Sequence, residues 1–378
     1  MLSRISGILA VSLLFAASPA WAQDALAIKI AQAHQPRSLA PTAATEGEQE
    51  RSARVNNWTV GVAGGTLEGL FIRFAADLGK ALDDGEKLRV LPIVTYGAGE
   101  NISDLLYLKG VDIAITHADV FEDFKKNNTY GNIDRRINYI SEMYISEFHL
   151  LARPEIKSIK DLEGKKVGFS NKGSSANFTG KIVFERLGIK VEPVLMNNIF
   201  ALEKMRTGEL SATIHVVGKP VDLFKNEKAD SGFHFLPMDY DSKFSDYYLP
   251  TTLSSEDYPN LIKPGETVNT IGIPVVLAVY NWQPNSDRFR RVERFIQYYF
   301  ERFDTMRKPP YQAKWRDINL SAKVPGWTRY WVAENMLAKM AASQNGPLSA
   351  AISPTSSSAP EPDPLYREFL EWKKKQRK

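Results

Sequence analysis

The chain has no cysteine among its 378 residues. It therefore forms no disulfide, offers no cysteine for lipid attachment and has no thiol chemistry. Beyond the first two dozen residues it has no long hydrophobic run of the kind that spans a membrane. Charge of one sign is also sparse. The formal net charge is +4, the basic residues are scattered, and Lys373-Lys374-Lys375-Gln376-Arg377-Lys378 is the one basic run. Nucleic-acid binding asks for a denser basic face with interleaved aromatics, and the body has none. Catalytic signatures are missing too: there is no G-x-S-x-G elbow and no H-E-x-x-H. The five histidines, His34, His117, His149, His215 and His234, are not spaced as metal ligands. A dinucleotide site wants G-x-G-x-x-G, whereas the chain reads Gly61-x-x-Gly64-Gly65 and has no ribose-binding acid after Val94. These absences point away from an enzyme and predict no cofactor and no metal.

What is present begins at the front. Arg4 precedes an apolar run from about Ile5 to Ala17, followed by Ser18-Pro19-Ala20-Trp21-Ala22. That order of basic, apolar and small residues predicts an export signal over residues 1–22, cleaved near Ala22. An uncleaved anchor is the alternative. An exported chain without cysteine suits the bacterial periplasm.

Two Gly-rich turns stand between an apolar strand and an amphipathic helix. They are Gly61-Val62-Ala63-Gly64-Gly65-Thr66 and Ser170-Asn171-Lys172-Gly173-Ser174-Ser175. Bare backbone N–H groups at a helix start form an anion pocket. One such turn in each half predicts two lobes that close on a small anionic ligand.

The rest of the chain is organised around them. Residues 23–56 read as a flexible polar leader. Lobe 1 opens with strand Asn57–Val62 and a helix bearing Leu67, Leu70, Phe71, Phe74, Leu78 and Leu82 on one face. Leu88–Val94, a helix through Ile102 and Leu105, and Val111–Thr116 continue the strand and helix alternation of a parallel sheet. Apolar stretches around Tyr144–Glu147 form the crossing, so lobe 1 spans 57–146 and lobe 2 spans 147–266. Ser158 and Asp161 make a capping box, and Gly188 stops the helix before it. Thr267 to Tyr280 returns to lobe 1, which with C-terminal helices extends over 267–345. A Pro/Ser-rich linker at 346–364 and an amphipathic basic tail at 365–378 complete the chain. The expected fold is α/β and two-lobed, of the periplasmic-binding-protein (Venus-flytrap) kind, with two mostly parallel sheets and a hinge.

These landmarks carry a resemblance. Gly61 to Gly69, Gly97-Ala98-Gly99-Glu100-Asn101-Ile102 through Gly110 to Asp119, and Ile159 to Gly168 with Gly173-Ser174-Ser175 follow one another in an order similar to the TAXI-type solute receptors of TRAP transporters. Gly208-Glu209-Leu210-Ser211-Ala212 and Gly218-Lys219-Pro220 add to it. The resemblance implies a receptor for a small carboxylate or amino acid, handed to an integral-membrane TRAP permease. The chain departs from that pattern at Thr66-Leu67-Glu68, at Gly173-Ser174-Ser175-Ala176 and at His117-Ala118-Asp119, all where ligand should touch. The alternative reading is a periplasmic sensor or interaction protein that kept the fold.

Candidate ligand residues follow, each with a plainer role beside it. Gly64, Gly65 and Thr66 present N–H groups and a hydroxyl, while Thr66 is also a natural helix cap. Gly97 opens the third helix start, where Glu100 and Asn101 either touch ligand or serve the helix end. His117, at a strand's end, either hydrogen-bonds a carboxylate or is structural. Glu147 latches the hinge, binds an amine or ligates a metal. Gly173, Ser174 and Ser175 mirror the first turn. Lys219 supplies positive charge or is simply solvated.

Overall fold

The computed structural model describes residues 43–344. The chain divides into two compact units, residues 1–53 and residues 54–378. The first is described only over residues 43–53, as the start of helix α1, Ala43–Asn57. The leader expected through residue 56 is thus helical from 43 onward. Ala, Glu, Gln and Arg are strong helix formers, and a helix polar all round shows no apolar periodicity to betray it. The export segment, residues 23–42, the linker and the basic tail lie outside the described residues.

The second unit begins with β1 (Thr59–Gly65), α2 (Leu70–Leu82), β2 (Arg89–Val94), α3 (Ala98–Tyr107), β3 (Ile113–His117), α4 (Ala118–Lys126) and α5 (Ile133–Arg136). The long strand β4 (Ile137–Ala152) leads into β5 (Lys166–Gly168), α6 (Ser175–Leu187), β6 (Glu192–Val194), α7 (Asn198–Arg206), β7 (Ala212–Val217) and α8 (Asp222–Lys225). Then come β8 (His234–Phe235), β9 (Leu249–Ser254), the second long strand β10 (Thr267–Tyr280), α9 (Asp287–Glu301), α10 (Phe303–Met306) and α11 (Trp331–Gln344).

Strand order is β2-β1-β3-β10-β4-β7-β5-β6, with β9 on β10 and β8 on β4. The outer trios β2-β1-β3 and β7-β5-β6 are parallel. The 16-residue β4 and 14-residue β10 run antiparallel between them. Both are long enough to serve two lobes in turn. From Ile137 to Glu147, β4 pairs with β10; from Glu147 to Ala152, it pairs with β7. Glu147 stands at the switch, opposite Gly272 on one side and Val217 on the other. The two parallel halves are therefore joined through one continuous ladder, and the crossing is carried by strands rather than by a loop.

Separate cores define the lobes. Lobe 1 is built on Val62, Phe74, Leu78, Ile115, Ile140, Leu277, Phe295 and Trp315, all buried. Lobe 2 has a core on each face of its sheet, one around Phe148, Val167, Val183, Ile214 and Tyr248, the other around Leu202, Met205, Phe224, Phe235 and Tyr258. Each such side chain contributes about 1.5–3 kcal/mol on burial, so each lobe has its own source of stability.

Local details follow the chemistry. Ser158 and Asp161 form the expected capping box, here on the short 3-10 turn Ile159–Leu162, and Gly188 closes α6 with φ 70°. Helix α2 differs from expectation: it begins at Leu70, and its N-cap is Gly69 rather than Thr66. Leu67 consequently precedes the helix and is 69% exposed. The Thr66 carbonyl accepts the Gly69 N–H at 3.0 Å, so a tight turn delays the helix by three residues.

Candidate ligand cleft

Three helix N-termini meet between the lobes. The N-cap residues Gly69 of α2, Gly97 of α3 and Ser174 of α6 all line one cavity of about 50 Å³. Gly69 and Gly97 have no side chain with which to cap, and neither α2 nor α6 has an acidic residue in its first turn. The first N–H groups of a helix lack intrahelical partners and carry the positive end of its dipole. The cavity lining contains no lysine or arginine: its polar groups are these amides, the hydroxyls of Thr66, Tyr96, Tyr144, Ser170, Ser174 and Ser175, and His215.

The lobes touch directly beside this cavity. The Gly99 N–H donates to the Gly173 carbonyl across the cleft at 3.1 Å. A Cβ on Gly99 would stand 2.1 Å from the Phe178 ring, and one on Gly97 would stand 3.3 Å from the Ser174 Cα. Farther in, the hydroxyls of Thr179 and Tyr248 donate to Asp119 at 2.6 and 3.0 Å. Burial pushes the Asp119 carboxyl up to about 6, against the opposing effect of those donors. The arrangement is closed.

Of the residues singled out from the sequence, Gly65, Thr66, Gly97, Ser174 and Ser175 are brought together on the cavity wall. The others stand elsewhere. A Cβ on Gly64 would meet the Ile72 Cα at 2.8 Å, so that glycine admits α2 onto β1. The Asn101 amide is buried and donates to the carbonyls of Ile115 at 2.7 Å and Gly64 at 3.2 Å, locking three elements together. Glu100 accepts the Tyr96 N–H and closes its own helix start. Gly173 is consumed by the bond to Gly99.

His117, expected to face the cleft, is fully buried behind Phe71, ring to ring at 4.9 Å. Burial drops its pKa to about 3, and neither ring nitrogen has a hydrogen-bond partner among the described residues. Glu147 accepts the Lys219 N–H at 2.7 Å and lies 3.9 Å from Lys314. Burial raises its carboxyl to about 7 despite those cations. Lys219 turns away from the cavity: its ammonium binds the Thr252 carbonyl at 2.5 Å and Asp257 at 3.2 Å. An ammonium paired with a neighbouring carboxylate is better satisfied than one held alone in a cleft.

Several wall residues were not anticipated. Ser170 adopts φ 57°, rare for a non-glycine, as the chain turns out of β5. Its place in the quoted turn was the available signal. Tyr144, on β4 at the crossing, is buried, and its hydroxyl makes no hydrogen bond of normal geometry among the described residues. His215 interrupts the apolar strand β7, which is the pattern that could have drawn attention to it. Burial lowers its pKa to about 4, and Glu68 pulls the other way.

Two lobes with separate cores, strands shared at the crossing, and a cavity walled by helix starts beyond the strand ends define a two-lobed periplasmic-binding-protein fold. The chain belongs to the NMT1-like family, whose pattern it matches over residues 62–324. Solved structures with a similar layout include a periplasmic transporter, at 10% identity over 78% of this chain and 98% of that one, with TM-score 0.45. The periplasmic binding protein BugD is 13% identical over 76% and 96%, with TM-score 0.44. The protein XAC2383 from Xanthomonas citri, solved bound to ATP, is 9% identical over 75% and 96%, with TM-score 0.43. Among the described residues no helix is long and apolar enough to cross a membrane.

Proposed function

We propose that this protein is a periplasmic solute-binding receptor that closes its lobes on a small carboxylate and delivers it to a TRAP-type permease. The observation that carries the reading is the convergence of three helix N-termini on a cavity that holds no cationic side chain. The buried Tyr144 hydroxyl on the same wall, which makes no hydrogen bond of normal geometry among the described residues, supports it. A micromolar receptor needs about 8 kcal/mol, and several hydrogen bonds to a charged group, at about 1.5–3 kcal/mol each, supply that scale. No group in the cleft is required to do chemistry. TAXI-type kinship, export to the periplasm and the permease partner come from the sequence motifs.

A thermal-shift screen of small acids tests the binding claim. A ligand that binds only the folded state adds about 2.7 kcal/mol at a hundredfold excess over its Kd. Stabilisation by at least one acid, lost in Thr66→Val/Ser175→Ala, is the expected result. Silence across the panel rejects it. Delivery is tested by acid uptake in cells carrying the permease with and without this protein. Binding without stimulated uptake favours the second reading, a sensor, which draws support from the direct contacts Gly99–Gly173 and Asp119–Thr179 that hold the lobes shut.

A further inference from the structure

A second chamber adjoins the first. Its volume is about 490 Å³, and it shares Thr66, Ser170 and His215 with the small cavity as a common wall. A single water needs roughly 10–15 Å³ measured in this way, so the small chamber accommodates a carboxylate and a carbon or two. It does not accommodate a whole metabolite. Resting on the receptor reading above, we propose that the ligand is a monocarboxylate with an extended, oxygen-rich body: the acid head sits among the helix starts, and a hydroxylated or amide-bearing chain fills the larger chamber.

The lining of the larger chamber selects that body. It presents four asparagines, Asn171, Asn197, Asn198 and Asn226. Asn198 is buried, and its amide oxygen takes the Thr213 hydroxyl at 3.4 Å. Asn197 likewise spends its oxygen on the Ile199 N–H at 2.8 Å. The remaining NH₂ groups of both have no protein acceptor among the described residues, and they call for ligand oxygens. His215, on the shared wall, makes no side-chain hydrogen bond among the described residues and can serve the junction between head and body.

The charges argue against a second carboxylate. Among the described residues Arg73 is the one lysine or arginine of the lining, and it lies 3.6 Å from Asp222, which belongs to the other lobe. Glu68 adds a further negative charge. A dicarboxylate would bring its second anion to a rim that carries two acids and one arginine. An entirely alkyl body would leave the asparagine amides without a hydrogen-bond partner.

Isothermal titration of the full protein with acetate, succinate, octanoate and gluconate tests the inference. Gluconate is expected to bind at least tenfold more tightly than each of the other three. Asn226→Leu, at the outer edge of the chamber, is expected to cut the gluconate-over-acetate ratio severalfold. Asn198→Asp, which keeps the oxygen for Thr213 but removes the donor and adds a charge, is expected to abolish the ratio. Equal affinity for acetate and gluconate, or succinate or octanoate as the best ligand, overturns the extended-body inference while the receptor reading stands. Binding of none of these four, together with silence in the wider acid screen, overturns both.

Discussion

The Asp119 carboxylate, at the start of α4 in lobe 1, accepts the Thr179 hydroxyl of α6 in lobe 2 at 2.6 Å. Tyr248 adds a second donor from lobe 2 at 3.0 Å. This buried knot ties the lobes at a point away from the ligand cavity. Thr179→Val is expected to loosen it, since a bond to a charged group contributes about 1.5–3 kcal/mol. The effect depends on pH. The closed form holds the Asp119 proton up to about 6, above the 3.8 of a solvated carboxyl. Closure is therefore favoured as the pH falls through 6 and weakened as it rises. Small-angle scattering should give a larger radius of gyration for Thr179→Val at pH 8 than at pH 5. Identical radii for variant and wild type at both values would remove Asp119 as a latch.

Gly99 admits the Phe178 ring, the counterpart of that knot on the cavity side. A methyl at Gly99 would fall 2.1 Å from the ring. Gly99→Ala should wedge the lobes apart, lower ligand affinity at least tenfold and leave each lobe folded. Far-ultraviolet circular dichroism alongside titration checks this. Undiminished affinity would mean that closure does not use the contact.

His117 is a buried ring that stays neutral. Its pKa is 6.5 in the unfolded chain and about 3 in the fold. Between those values only the unfolded state takes up the proton, so the contribution to stability is full above pH 6.5 and is lost as the pH falls. His117→Phe removes that dependence. Relative to wild type, the variant should gain about 1.4 kcal/mol per pH unit below 6.5, or about 2 kcal/mol at pH 5. Urea unfolding at pH 5 and pH 8 measures it; an equal difference at both values would contradict the burial.

Arg291, partly buried, pairs with the buried Asp112 carboxylate of lobe 1 at 2.8 Å, and the same carboxylate also accepts the Gly61 N–H at 3.3 Å. Removing one partner strands the other charge, at about 3–5 kcal/mol. Arg291→Met should lower the unfolding free energy by that order. Asp112→Asn added to it should restore part of the loss, because the amide is uncharged.

Much of this was legible in advance. The alternation of strands and helices, the stop at Gly188 and the return strand Thr267–Tyr280 are local patterns of period, glycine and cap, which propensity and backbone geometry settle within a few residues. The second Gly-rich turn announced a helix start for the same reason, and there the Ser174 hydroxyl accepts the Asn177 N–H at 3.2 Å as the side-chain cap. Helix α1 escaped notice because its signal is composition without an apolar stripe.

What local pattern cannot decide is which way a side chain turns once a neighbour from far along the chain arrives. Asn101 is spent on carbonyls from β1 and β3, Lys219 on Asp257, and His117 on a place behind Phe71. Each is satisfied, or hidden, by a partner that only the folded chain supplies. The sequence by itself determined the lobes, their strands and the helix ends, since those follow from short-range sterics and hydrophobic periodicity. The tertiary structure alone decided that three of those ends face one cavity, that Ser170, Tyr144 and His215 join its wall, and that a larger amide-lined chamber opens beside it, because convergence in space depends on how the long strands β4 and β10 bring two separate cores together.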